Sequence, residues 1–280
     1  MGIIYVNKPK GITSFDVCYK VRKVLQTKHI GHSGTLDPLA TGAMILAYDK
    51  DTKVIQFLKS DTKEYTATCL IGVETDTLDI DGKVLKKEDN AMPSEDSIKE
   101  VLNTFIGKQL QTPPMYSAIR HNGKHLYDLA RDNIEIDVKE REIEVFNIEL
   151  LSTSKNTFTF KCKVSSGTYI RVLLKDILDK LGIIGTLQDL VRTKIGNVDI
   201  KDCFSIEDIN NGKYIEYSAL DVLKDKYYIY EVKDPKSIYN GRPIIDNSLK
   251  DEYILVVNDN KALAIYKKDK EKYTCVRGLF

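Results

Sequence analysis

The chain has 280 residues, 42% hydrophobic and 30% charged, with a net charge of +1. That length suits about two domains of ~100 to 200 residues each, while the absence of an apolar run near ~18 residues argues against a membrane-spanning helix. The near-neutral charge by itself argues against a generic polyanion binder, and five scattered cysteines (Cys18, Cys69, Cys162, Cys203 and Cys275) exclude a Cys-x-x-Cys zinc or redox site. With no basic-then-apolar leader at its start, the chain reads as a cytoplasmic protein.

Residues 2–7 predict a short apolar strand, and Lys8-Pro9-Lys10-Gly11 a turn. Thr13 followed by Asp16 forms a capping-box pattern, with Val17, Cys18, Val21, Val24 and Leu25 at helical spacing behind it. Residues 31–42, Gly-His-Ser-Gly-Thr-Leu-Asp-Pro-Leu-Ala-Thr-Gly, suit neither a helix nor a central strand, because Gly gives up backbone entropy and Pro lacks a donor. The single carboxylate of this shaped loop, Asp37, precedes Pro38 and is pushed into an extended conformation. It is the candidate for chemistry, although the spacing equally suits a turn in which Asp37 only bonds nearby backbone.

Residues 43–48 read as a buried strand and 52–58 as a short helix. Residues 63–72 are rich in strand formers, with Tyr65, Ala67, Cys69 and Ile71 on one face. The acidic stretch 74–82 resembles a calcium loop but lacks the Glu required at its twelfth position, which predicts a solvated loop. Ser94 caps a helix carrying Ile98, Val101, Leu102 and Phe105, ending at Gly107. Bases, aromatics and turn residues are interleaved over 112–131, a mixture suited to unpaired nucleotides. His121 and His125 stand four apart, but Gly123 lies between them and no third ligand follows, so no metal is expected.

Strands are expected at 142–150 and 156–164, then, following Gly167, an amphipathic helix through about Leu181. Arg171 falls where strand gives way to helix, and if buried it needs a carboxylate partner, since isolated buried charge is very costly. Residues 185–196 read as another short helix with a basic segment, Leu190 to Lys194. From Tyr227 onward, short apolar runs separated by turn residues predict a small barrel, with a boundary near 222. Charge is uneven along the chain: residues 1–63 carry ten Lys/Arg against five Asp/Glu, and residues 64–111 five against ten. A basic face for phosphates would give that pattern, and so would a solvated mixed surface.

The 31–42 loop resembles the signature of the tRNA pseudouridine synthase B (TruB) family, Gly-His-x-Gly-x-Leu-Asp-Pro-x-Ala-Thr-Gly. Four further segments agree in order: Lys8-Pro-x-Gly11 with Thr13-Ser14, Lys63-Glu-Tyr65, Gly167-Thr-Tyr-Ile-Arg171, and Leu190-x-Arg-Thr193. The resemblance covers residues 1 to 200, and the final segment is similar to the PUA-type RNA-binding domain that closes many members. Departures are small. Ser33 stands where Thr is common, and Ala43-Met44 where Val-Leu is usual.

The resemblance implies an α+β pseudouridine synthase fold with a mixed, largely antiparallel central sheet flanked by helices. It implies a catalytic domain over 1–221 with an RNA-binding insertion at about 112–136, and a PUA-like domain over 222–280. The implied activity is isomerisation of uridine 55 in the tRNA T-loop, without cofactor or metal. Asp37 matches the catalytic aspartate, which attacks the ribose or otherwise assists cleavage of the sugar–uracil bond. Tyr65 matches the aromatic that stacks on the flipped base, with a possible share in proton transfer, and Arg171 the arginine paired with the carboxylate. Tyr169, His32 and Leu190 match pocket residues that hold substrate, and Lys8 and Arg192, from the other matched segments, are assigned to substrate binding with them.

The 112–131 insertion matches stand-alone bacterial enzymes at Met115-Tyr-Ser-Ala118, Gly123-Lys124, Leu126-Tyr127 and Ala130-Arg131. This implies a monomer that meets the T-loop and elbow of tRNA directly, with no guide RNA and no membrane. A guide-dependent synthase on the same scaffold and a non-catalytic RNA chaperone are the competing readings. A phosphate-binding loop is disfavoured, because no Gly-Lys-Ser/Thr ending is present.

Overall fold

The computed structural model describes residues 1–58, 62–117, 119–121, 123–132, 134 and 136–280, with backbone alone for 120, 121, 125 and 131. Its strands in chain order begin with β1 (Gly2–Lys8), β2 (Ile30–His32), β3 (Thr41–Tyr48) and β4 (Lys63–Ile71). A small hairpin of β5 (Val73–Thr75) and β6 (Val84–Lys87) leads to β7 (Gly107–Gln111). The insertion contributes β8 (Arg120–His121), β9 (Lys124–His125) and a short helix. Then come β10 (Arg141–Thr153), β11 (Thr157–Val164), β12 (Gly185–Ile195) and β13 (Val198–Asp199). The helices of this part are α1 (Ser14–Val24), α2 (Ile55–Leu58), α3 (Glu95–Asn103), α4 (Leu126–Arg131), α5 (Ile170–Leu181) and α6 (Ile206–Asn210).

Among the described residues, nine of these strands form one sheet in the order β1-β3-β12-β4-β11-β10-β7, with β2 added to β3 and β13 to β12. Every neighbouring pair is antiparallel except β12 with β3, which meet in parallel at Val191–Thr41 and Arg192–Gly42. The fold is α+β, as expected. Side chains alternate across the sheet because the strand period is two. Ile4, Val6, Met44 and Leu46 enter the core beneath α1, α3, α5 and α6, while Ile3, Tyr5, Ala43, Ile45 and Ala47 enter a second core on the opposite face. Each fully buried apolar side chain contributes roughly 1.5–3 kcal/mol.

The Thr13–Asp16 capping box forms as read: the Thr13 hydroxyl accepts from Asp16 N, and the Asp16 carboxylate accepts from Thr13 N. On β4 the buried residues alternate as predicted, with Tyr65, Ala67, Cys69 and Ile71 on one side.

The expected helix over 185–196 is instead β12, next to the middle of the sheet. The reading failed for a physical reason. Leu187 and Leu190 are both buried three residues apart, a helical spacing, because the register with β4 shifts between Leu187 and Asp189. A bulge of that kind inserts one residue and returns the next apolar side chain to the core face.

Past residue 217 the chain forms α7 (Ala219–Leu223), β14 (Tyr228–Glu231), α8 (Lys236–Tyr239), β15 (Tyr253–Asn258), β16 (Lys261–Asp269) and β17 (Lys272–Gly278). The last four strands make a separate sheet in the order β14-β15-β16-β17, an open arrangement where a small barrel was expected. One face of it, through Leu255, Val257 and Ile265, joins the second core of the main sheet. The expected boundary at 222 falls inside α7. No helix among the described residues is long and apolar enough to cross a membrane.

Candidate active site

The 31–42 loop is held from below by three buried side chains. Lys8, at the end of β1, donates through Nζ to the carbonyls of Ala40 (2.7 Å), Pro9 (3.0 Å) and Pro38 (3.2 Å). Ser14, in the first turn of α1, donates from Oγ to the Leu36 carbonyl at 3.0 Å and accepts from the Leu36 amide at 2.8 Å. Arg192, on β12, donates to the carbonyls of Ala43 (2.7 Å), Gly34 (3.1 Å) and Thr35 (3.3 Å). Satisfying carbonyls on both sides of Asp37 fixes the backbone there without spending the carboxylate, which is the geometry a reacting group needs.

The Asp37 carboxylate faces a cavity of about 960 Å³. Arg171, in the first turn of α5, reaches it with Nε at 2.9 Å from Oδ2. The Arg171 side chain is only 5% exposed, against 36% for Asp37, so the cation is sealed under an anion that stays open to the cavity. Its terminal nitrogens donate to the carbonyls of Thr77 and Tyr116, each at 2.8 Å. Asp79 Oδ2 lies 3.7 Å from the same Nε. The turn in which Asp37 bonds only its neighbours is thus not what forms, because its carboxylate goes to Arg171.

Asp79 is the residue sequence reading missed. The 74–82 stretch, expected as a solvated loop, packs its middle against β12, where Ile80 N donates to Leu187 O and Leu187 N to Leu78 O; within the stretch the Thr75 hydroxyl donates to Asp79 O at 2.7 Å. Burial holds the Asp79 carboxyl above the usual carboxylate range, with the Thr77 hydroxyl and Arg171 pulling the other way. Density of acidic residues suggested solvent, and the signal that pointed inward was Thr75, whose hydroxyl is buried against Thr186.

Tyr65 and Leu190, from the paired strands β4 and β12, line the cavity with Tyr169, His32 and Arg192. Burial pushes the Tyr65 phenol up, so the hydroxyl stays neutral, and it does the same to Tyr169. Tyr169 caps α5, and Gln111 clasps its backbone on both sides, donating to its carbonyl at 3.1 Å and accepting from its amide at 2.8 Å.

Matches to known proteins agree with this geometry. Residues 22–170 match the family model described as TruB family pseudouridylate synthase (N terminal domain). A protein of Clostridium tetani (strain Massachusetts / E88) named tRNA pseudouridine synthase B is 40% identical over 272 residues, covering 96% of this chain and 93% of the relative. One of the same name from Thermosipho melanesiensis is 35% identical, covering 96% and 92%. The chain belongs to the TruB family of pseudouridylate synthases. The fold matches the structure titled "Crystal Structure of a Cbf5-Nop10-Gar1 Complex" with a TM-score of 0.74 at 20% identity, over all of this chain and 85% of that one.

Of the residues that the TruB resemblance singled out, the structure brings Asp37, Tyr65, Arg171, Tyr169, His32, Leu190 and Arg192 to one cavity. Lys8 is placed differently. It is fully buried beneath the loop, and its Nζ donates to the loop carbonyls of Pro38 and Ala40 and to the Pro9 carbonyl of its own turn, whereas the resemblance assigned it to substrate. Arg192 lines the cavity, where its guanidinium holds the carbonyls of Gly34, Thr35 and Ala43 and also hydrogen-bonds the Tyr65 side chain. The TruB-type insertion reaches the site through Tyr116, Ser117 and Ile119. Ala118 and the side chains of His121, His125 and Arg131 lie outside the described residues.

Proposed function

We propose that this chain converts uridine 55 in the T-loop of tRNA to pseudouridine, acting on tRNA directly and without a guide RNA. The observation that carries the reading is the Asp37 carboxylate, open to the cavity and gripped from behind by a buried arginine at 2.9 Å. The curated relatives named tRNA pseudouridine synthase B support tRNA as the substrate class.

In this reading uridine leaves its stack and enters the cavity, as base-modifying enzymes require of a base hidden in folded RNA. Tyr65 supplies an aromatic surface for the base and Leu190 an apolar wall. Asp37 assists departure of the base from ribose C1′. The C1′–N1 bond breaks, the uracil turns, and C5 bonds to C1′. C5 then gives up its proton, and N1 ends with one. No atom is gained or lost, so the reaction needs no co-reactant. A preorganised carboxylate–guanidinium pair acts most strongly where water is excluded.

The test is pseudouridine mapping on an unmodified tRNA transcript before and after incubation with the purified chain. Product at position 55 alone is expected. A transcript that stays unmodified, or one modified only when a guide RNA is added, would refute the proposal; a chaperone would change RNA folding with no product.

A further inference from the structure

The cavity extends beyond the catalytic groups. At about 960 Å³ it lies at the upper end of the roughly 300–1,000 Å³ typical of ligand pockets, and its outer wall is one face of α1 with the segment after it: Phe15, Tyr19, Arg22, Lys28 and His29. The buried face of α1 is made by Ser14, Val17, Cys18 and Val21. Phe15 and Tyr19 are four residues apart, so they stand one above the other on the helix surface. Phe15 is 74% exposed and Tyr19 43% exposed, which leaves the fold no need of either ring.

The rings differ in what surrounds them. The Tyr19 ring carries the Arg22 guanidinium at 5.3 Å and the Lys23 ammonium at 4.4 Å from its centroid, so it holds two cations in place. Phe15 presents its ring to solvent one turn earlier. From residue 17 to 28 the chain carries Lys20, Arg22, Lys23 and Lys28 and no acidic residue, and Asp16 is committed to the cap. A bare aromatic ring beside oriented cations is a surface for an unpaired nucleotide, whose base stacks while its phosphate meets the charge.

We propose that Phe15, Tyr19 and Arg22 form a nucleotide subsite outside the catalytic groups. Phe15 stacks on an unpaired base of the RNA strand that enters the cavity, and Arg22, steadied over Tyr19, meets a phosphate of that strand. The subsite rests on the activity proposed above and assigns part of the RNA affinity to these three residues. They touch neither the isomerised uridine nor Asp37, so their contribution is to binding and not to the chemical step.

The experiment compares wild type, Phe15→Ala, Phe15→Trp and Arg22→Gln on a T-arm stem-loop transcript, measuring KM, kcat and the salt dependence of RNA binding. Phe15→Ala is expected to raise KM about fivefold or more, the lower end of what base–aromatic stacking supplies, with kcat within about twofold. Phe15→Trp restores wild-type KM. Arg22→Gln flattens the plot of log affinity against log salt by roughly 0.7, the share of one single-strand phosphate contact. A smaller KM change in Phe15→Ala, a loss in kcat instead, no rescue by Phe15→Trp, or an unchanged salt slope each overturns the subsite. Wild-type chain that makes no pseudouridine sinks the activity, and the subsite is then decided by direct binding of the same stem-loop to the same variants.

Discussion

Arg171 reaches Asp37 from a segment more than a hundred residues downstream, with Nε 2.9 Å from Oδ2. One terminal nitrogen donates to the Thr77 carbonyl and the other to the Tyr116 carbonyl, while Nε points at the Asp37 carboxylate, so three contacts hold the plane. The guanidinium therefore has one orientation. Asp79 Oδ2 approaches the same Nε from inside the protein at 3.7 Å, while Asp37 keeps the side away from Arg171 for the cavity.

Replacing Asp37 with Asn keeps size and shape but removes the charge that Arg171 faces. Turnover of the tRNA transcript is expected to fall on the order of 10⁴-fold or more, the scale of losing an essential catalytic carboxylate. RNA affinity, measured by filter binding, should change by less than about threefold. An Asp37→Asn chain with appreciable turnover would mean that the chemistry lies elsewhere.

Asp79→Asn replaces the buried carboxyl beside Arg171 without emptying its space. We expect kcat to drop about 10- to 100-fold at nearly constant KM. Arg171→Lys should cost more, since an ammonium cannot engage Thr77, Tyr116 and Asp37 in one planar fork. Single-turnover rates with urea midpoints alongside separate this positioning effect from simple unfolding, because only the rate should change strongly in Asp79→Asn.

Lys8 gives the site an alkaline limit. Burial brings its ammonium down to about 8, with Asp37 acting against that shift. Charged Lys8 has three protons for its three carbonyls, whereas the neutral amine has two, so the loop loosens and kcat should decline as pH rises through about 8. Stability moves the other way: the folded value lies below the ~10.4 of an unfolded lysine, the unfolded chain then holds more protons, and this group's contribution increases between those two pH values. Loss of activity near pH 8 should thus come with no Lys8-dependent fall in Tm. Lys8→Met should remove that limb and lower kcat throughout; a limb that survives in Lys8→Met would assign it to another group.

Two glycines offer an internal comparison. Gly42 has φ of +112°, and a Cβ there would stand 2.3 Å from the Arg192 carbonyl oxygen, on the strand that supports the loop. Gly11 also has positive φ, +84°, but open space around it. Gly42→Ala should cost roughly 3 kcal/mol or more, combining strained backbone with a backbone clash, and lower Tm by about 6–12 °C. Gly11→Ala should cost only about 1–2 kcal/mol. Equal melting temperatures for the two variants would contradict the close approach of β12 to Gly42.

Much of this protein was legible in its residues because the relevant forces are local. The capping box at Thr13 and Asp16 and the alternation of Tyr65, Ala67, Cys69 and Ile71 each depend on neighbours within a few positions, and each formed as read. The loop motif also led to the family, since a pattern that long has few other origins.

What needed the tertiary structure was every assignment that depends on a distant partner. Leu187 and Leu190 mimic a helix until the bulge against β4 explains their spacing. Asp79 looks solvated until Arg171 and Leu187 close over it, and Lys8, assigned to substrate by the resemblance, gives its ammonium to backbone carbonyls beneath the loop. Sequence fixes which charges a chain carries. Whether a given charge meets solvent, substrate or a buried carbonyl is decided by the desolvation it suffers once packed, and that depends on residues far away along the chain.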